Sequence, residues 1–97
     1  MQLTAPGWEK VLGEALRRAP ADEAARLAWP LVCGGKVAQR TRPLAFAGGV
    51  LRVGVPDQTW RAQLAELEHR YLNEFARVLG NETVEQIEFV VAVREQR

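Results

Sequence analysis

Trp8, Val11, Leu12, Ala15 and Leu16 recur at the three-and-four spacing of a single helical face, bracketed by Pro6 and Pro20. This predicts a first helix that begins near Pro6 and ends before Pro20. A second follows at once. Asp22 stands where an N-cap carboxylate accepts backbone N–H bonds, and Leu27, Ala28, Leu31 and Val32 line a helical face that stops at Gly34-Gly35. Pro30 interrupts this segment. It lacks an N–H and disfavours helical backbone at Trp29, so a kink or a break is expected there.

The period then changes from helical to alternating. From Pro43 to Pro56 two short apolar runs flank Gly48-Gly49, and paired glycines supply the positive φ of a tight hairpin turn. In the second run Leu51, Val53 and Val55 alternate with Val50, Arg52 and Gly54, which puts an apolar face on one side and Arg52 on the other. Asp57 is the expected N-cap of a long helix that carries Trp60, Leu64, Leu67, Tyr71, Leu72, Phe75, Val78 and Leu79 down to Gly80. Ile87, Phe89, Val91 and Val93 alternate with Glu88, Val90 and Ala92 in a third strand, whose unprotected edge offers a place for two copies to pair. The predicted order is ααββαβ. It is an α+β fold in which a three-stranded sheet packs against helices, and residues 1–97 form one domain.

Composition adds limits to this picture. The chain has 97 residues, 47% of them hydrophobic, which suits one globular core and leaves no room for a second. No run approaches the roughly 20 apolar residues of a membrane span, and the start Met1-Gln2-Leu3-Thr4 lacks the features of a secretory signal, so a cytoplasmic protein is expected. The single cysteine, Cys33, has no internal disulfide partner and reads as a small apolar residue before a glycine pair.

The net charge of +1 conceals an uneven distribution. Between Ala24 and Ala65, Arg26, Lys36, Arg40, Arg42, Arg52 and Arg61 face one acid, Asp57; the resulting +5 leaves −4 on the rest of a +1 chain. A basic middle of this kind attracts phosphate or an acidic protein surface, although solvated faces are often as uneven.

Little in the sequence suggests catalysis. Gly34-Gly35-Lys36-Val37 has neither the spacing nor the Ser/Thr of an ATPase phosphate loop. His69, the only histidine, sits on the polar side of the long helix without clustered ligands and reads as solvated surface. Glu66, Arg70 and Glu74 follow one another at four-residue steps, which predicts salt bridges on a polar helix face. No nucleophile lies beside a base at readable spacing. A non-enzymatic protein without cofactor or metal is therefore expected. The tryptophans are weighed toward packing: Trp8 and Trp60 lie on apolar stripes, and Trp29 faces the Gly34 turn beside Pro30.

Taken together, several fragments form an ordered signature. They are Trp29-x-x-Val32-x-Gly34, Val37-Ala38-x-x-Thr41-x-Pro43, Gly49-x-Leu51-x-Val53-x-Val55 and Trp60-x-x-x-Leu64, followed by Leu72, Leu79-Gly80 and Ile87-Glu88-Phe89. In order and spacing the chain resembles the DciA family over nearly its whole length. The resemblance implies a K-homology-like fold and association with the DnaB-type replicative helicase, which the family helps load onto single-stranded DNA without hydrolysing ATP. K-homology domains that bind nucleic acid clamp its backbone with a Gly-x-x-Gly loop, and no such tetrapeptide joins the elements here.

The leading expectation is a helicase-associated binding module whose basic middle touches DNA phosphates or an acidic helicase surface through Lys36, Arg40, Arg42, Arg52 and Arg61. A protein-only interaction module is the second reading, motivated by the near-zero net charge. A K-homology-type RNA binder is the third, and the absent Gly-x-x-Gly counts against it.

Overall fold

The computed structural model describes residues 11, 15, 19–80 and 83–92. The elements that order its sheet and site are α1 (Ala21–Cys33), α2 (Gly35–Ala38), β1 (Arg42–Ala47), β2 (Val50–Val55), α3 (Gln58–Ala65), α4 (Glu68–Leu79) and β3 (Gln86–Val91). The fold is mixed α+β, with helices, a hairpin, helices and a last strand in that order. Of the expected first helix, Val11 and Ala15 are described; both are helical and exposed, while Trp8 lies outside the described residues.

The hairpin forms where the glycine pair predicts it. Gly48 and Gly49 hold φ of 59° and 83°, a region L side chains avoid, and the turn sets β1 antiparallel to β2. A Cβ at Gly49 would also lie 3.0 Å from the Glu85 side chain, which would have to shift to admit it. Its carbonyl accepts the backbone N–H groups of Glu85 and Gln86, at 2.8 and 3.2 Å, which fixes the entry to β3. β3 then runs parallel to β2, giving the order β1-β2-β3 with β2 in the centre. The two helices between β2 and β3 supply the crossover that a parallel pair requires.

Leu51, Val53 and Val55 of β2 join Ile87 and Phe89 of β3 on the buried face, as their alternation predicts. Trp29 lies at the centre of what covers that face. It is fully buried, stacks on Phe75 at 6.2 Å, meets Tyr71 edge-on at 5.2 Å and tilts against Phe89 at 6.2 Å. One side chain thereby joins α1, α4 and β3.

Several expectations are corrected around this tryptophan. The buried face of α1 is Ala24, Ala25, Ala28, Trp29 and Val32, whereas Leu27 is 54% exposed and Leu31 half-buried. Three alanines let α1 approach closely, and the large Trp29 fills the space that a leucine face would have taken. Asp22 is not the N-cap: the helix starts one residue earlier, Pro20 precedes it with φ −54° and ψ 146°, and the Pro20 carbonyl accepts the Ala24 N–H at 2.8 Å. Asp22 instead sits in the first turn, where a carboxylate favours the helix dipole, 3.7 Å from Arg26. Pro30 does not break α1, which continues to Cys33. Pro30 is exposed, so the carbonyl left without its N–H lies on the side of the helix that faces water. The stop comes at Gly34, φ 89°, whose N–H reaches the Pro30 carbonyl.

Asp57 caps as expected, its carboxylate accepting the Trp60 N–H at 2.9 Å. The single long helix, however, is two. At Glu66–Leu67 the backbone tightens, the Leu67 N–H reaching only three residues back to Leu64, and α4 starts afresh from the Leu67 carbonyl. The apolar stripe runs through this joint without a change of spacing, so periodicity alone does not reveal it. The break lets α3 lie along the sheet while α4 turns onto α1. On α4, Glu74 pairs with Arg77 at 2.8 Å, the partner one turn further on, instead of with Arg70.

Candidate nucleic-acid and partner interface

The five basic candidates fall into three places. Lys36 lies on α2, Arg40 in the turn after it and Arg42 at the first position of β1, all exposed. No acid occurs between Gly34 and Pro56, and among the described residues none of these three has an ion-pair partner. They form one run of positive charge leading onto the β1 side of the sheet.

Arg52 stands in the middle strand, on the face turned away from the helices and two residues from Gly54, the cross-strand partner of Arg42. Its register partner on β3 is Glu88, and its Nε donates to the Glu88 carboxylate at 3.1 Å. Both side chains are about half exposed, so the pair is solvent-screened, but the carboxylate offsets the positive charge of Arg52. Arg61 lies further still, on α3. Its Nε donates to the backbone carbonyl of Phe89 at 3.0 Å, while Glu68 of α4 accepts the backbone N–H of Ile87 at 2.9 Å. The two crossover helices thus send one side chain each to the outer edge of β3. That edge was expected to be unprotected; Arg61 and Glu68 occupy two of its backbone groups, a common way of blunting a strand edge against pairing. Lys36, Arg40 and Arg42 thus form one run. Arg52 lies diagonally across from Arg42 on the same outer face of the sheet but is paired to Glu88, and Arg61 stands on α3 at the other edge.

The run from Lys36 to Arg42 is also tied to the core. The Trp29 Nε1–H donates to Thr41 Oγ1 at 2.9 Å, and the Thr41 hydroxyl donates to the Val37 carbonyl at 2.8 Å. The Arg40 backbone N–H donates to that same carbonyl at 3.0 Å. Charge counting does not find this relay. Its only sequence signal is that Trp29, Val37 and Thr41 all recur in the ordered fragments of the family signature.

The chemistry available elsewhere is slight. Burial pushes the Cys33 thiol up to about 12, and its S–H points to the Gly34 carbonyl, so it holds no thiolate at neutral pH. Burial also raises the Tyr71 hydroxyl above its ordinary value. Among the described residues no three His, Cys, Asp or Glu side chains gather where a metal could be held, and no helix is long and apolar enough to cross a membrane. Between α3 and α4 lie only Glu66 and Leu67, with Glu68 opening α4, so the joint and its flank carry two acids and no glycine.

Residues 9–89 match the DciA family, described as Dna(CI) antecedent, DciA. The chain belongs to the DciA family. UPF0232 proteins of Mycobacterium tuberculosis and Mycobacterium bovis are each 32% identical to it over 59 residues, 61% of this chain and 32% of theirs. The match thus spans about a third of the length of those curated relatives. DciA proteins are associated with loading of the DnaB-type replicative helicase, and no catalytic activity defines the family, so membership supports a replication-related role.

Proposed function

We propose that this DciA domain, residues 1–97, is a non-enzymatic module of bacterial DNA replication that acts in the cytoplasm, engages the DnaB-type helicase and contacts single-stranded DNA phosphates through Lys36, Arg40 and Arg42. The observation that carries the DNA part is the exposed, acid-free run of these three residues on a backbone anchored to Trp29. Lysine and arginine recognise phosphate by charge and hydrogen bonding, and ordering the segment beforehand lowers the entropy lost on contact. Arg52 and Arg61 have a smaller share in this reading, because each already has a partner within the fold. The helicase part rests on family membership alone.

The test is binding of labelled oligo-dT and of purified replicative helicase, at two salt concentrations, by the wild type and by Arg40→Glu/Arg42→Glu. Three phosphate contacts on a single strand give a log–log salt slope of about −2. A wild type whose DNA binding ignores salt sinks the phosphate role.

A protein-only module is the second reading, favoured by the internal engagement of Arg52 and Arg61, which reduces the cations available to a phosphate backbone. It predicts that helicase capture survives nuclease digestion while oligo-dT binding is absent. A K-homology-type RNA clamp is disfavoured, since Glu66 and Glu68 at the joint between α3 and α4 repel the backbone it would have to hold.

A further inference from the structure

We propose that Thr41 is the positioning residue of the basic segment: its hydroxyl couples the buried indole of Trp29 to the turn that displays Arg40, and so holds Lys36, Arg40 and Arg42 in a binding-ready arrangement. The inference rests on the phosphate-contact reading above and adds a residue that carries no charge.

The direction of the relay is fixed by chemistry. An indole N–H can only donate, so Thr41 Oγ1 accepts at that end; a carbonyl can only accept, so the one hydroxyl proton goes to Val37. Trp29 is fully buried, and a buried N–H without a partner is disfavoured, so the core itself demands an acceptor at this position. Thr41 lies 12 residues away in sequence and meets that demand from the strand side. The Val37 carbonyl then closes the loop, because it also accepts the Arg40 backbone N–H. Donor, hydroxyl, carbonyl and second donor form one connected set, in which each bond polarises the next. The set begins in the core and ends on the backbone of Arg40, with Arg42 one residue beyond Thr41.

Packing alone does not require threonine here. Valine has nearly the same shape and would fill the half-buried site, but it neither accepts from Trp29 nor donates to Val37. What the hydroxyl adds is orientation of the turn, and an ordered turn gives its arginines more contact per encounter with phosphate.

The experiment compares Thr41→Val and Thr41→Ser with the wild type, at a temperature where thermal melts show all three folded. Two quantities are read by NMR and titration: amide hydrogen exchange at Arg40 relative to the amides of β2, and oligo-dT affinity with its salt slope. In Thr41→Val, Arg40 exchange is expected to rise about tenfold over the β2 amides, and affinity to fall by up to about tenfold, while Thr41→Ser stays near the wild type. Wild-type Arg40 protection in Thr41→Val overturns the proposal. Faster exchange with unchanged oligo-dT affinity overturns it too, since a loosened turn would then bind as well as an ordered one. A different pattern marks failure of the underlying reading: wild type and Arg40→Glu/Arg42→Glu would bind oligo-dT equally, and a binding role for Thr41 would fall with it. If Thr41→Val does not fold, Thr41→Ala, which leaves room for water beside the indole, is measured against Thr41→Ser in the same way.

Discussion

Two sets of arginines in this domain share their chemistry and differ in what surrounds them. Arg40 and Arg42 stand with Lys36 on the segment entering β1, where among the described residues they have no ion-pair partner. Arg52 and Arg61 are exposed but already engaged within the fold, one with the Glu88 carboxylate and one with a backbone carbonyl at the edge of β3. Formal charge treats all four alike. What separates them is whether a partner of opposite character lies within reach, and that depends on which strands become neighbours. A parallel β3 puts Glu88 beside Arg52 and lets α3 send Arg61 over the sheet edge. Had β3 paired elsewhere, both arginines would remain available to a ligand.

The largest effect expected from this division is on DNA. Arg40→Glu/Arg42→Glu should lower oligo-dT affinity about a hundredfold at low salt and flatten the salt slope from about −2 toward −0.7, since one contact of three survives. The melting temperature should hardly move, because neither side chain has an ion pair among the described residues. Loss of stability equal to the loss of binding would show that these residues also support the fold, and the comparison would break.

Arg61→Ala should behave in the opposite way. Its guanidinium donates to Phe89, and removal leaves that edge carbonyl to water at an expected loss of about 1 kcal/mol, or roughly 4–8 °C in melting temperature for a domain of this size. Oligo-dT affinity should stay within about twofold of the wild type, as befits a residue whose guanidinium is already engaged by a backbone carbonyl and has only a small share in phosphate contact. Adding Glu68→Ala exposes the Ile87 N–H as well. With two backbone groups of β3 newly free, the double variant should self-associate more than the wild type, as sedimentation velocity would show. A double variant that remains as monodisperse as the wild type would mean that these side chains support the strand without guarding it.

The same contrast explains which parts of the molecule are legible in the sequence. The hairpin, the Asp57 cap and the alternation of β2 and of Ile87 and Phe89 in β3 are local features, set by residues within a few positions of each other, and they form as read. Val91, expected on the same face, is exposed, and Val93 lies outside the described residues. The features that differ from expectation are decided by distant partners. The choice of Trp29 over Leu27 as the buried position of α1 depends on Tyr71, Phe75 and Phe89, and the joint at Glu66–Leu67 depends on α3 and α4 having different neighbours. Pro30 is tolerated because it falls on the exposed side of α1, which again only packing determines. The candidate site follows suit. Its charges are written in the sequence, but the neutralisation of Arg52, the diversion of Arg61 and the tether through Thr41 need the folded neighbours.

The smallest expected effect is also the sharpest test, because it tries to move a residue from one set to the other. Glu88→Gln removes the negative charge opposite Arg52 and keeps the side chain's shape. The pair is exposed on both sides, so stability should change by no more than about 0.5 kcal/mol. If pairing is all that withholds Arg52, the released guanidinium becomes a fourth phosphate contact. The salt slope of oligo-dT binding should then steepen by about 0.7, with a modest gain in affinity at low salt. Arg52→Ala in the Glu88→Gln background should cancel that gain, which ties it to this residue and not to the lost acid alone. An unchanged slope in Glu88→Gln would mean that position, and not charge, keeps Arg52 from the DNA, and the interface would then be confined to the segment between Lys36 and Arg42.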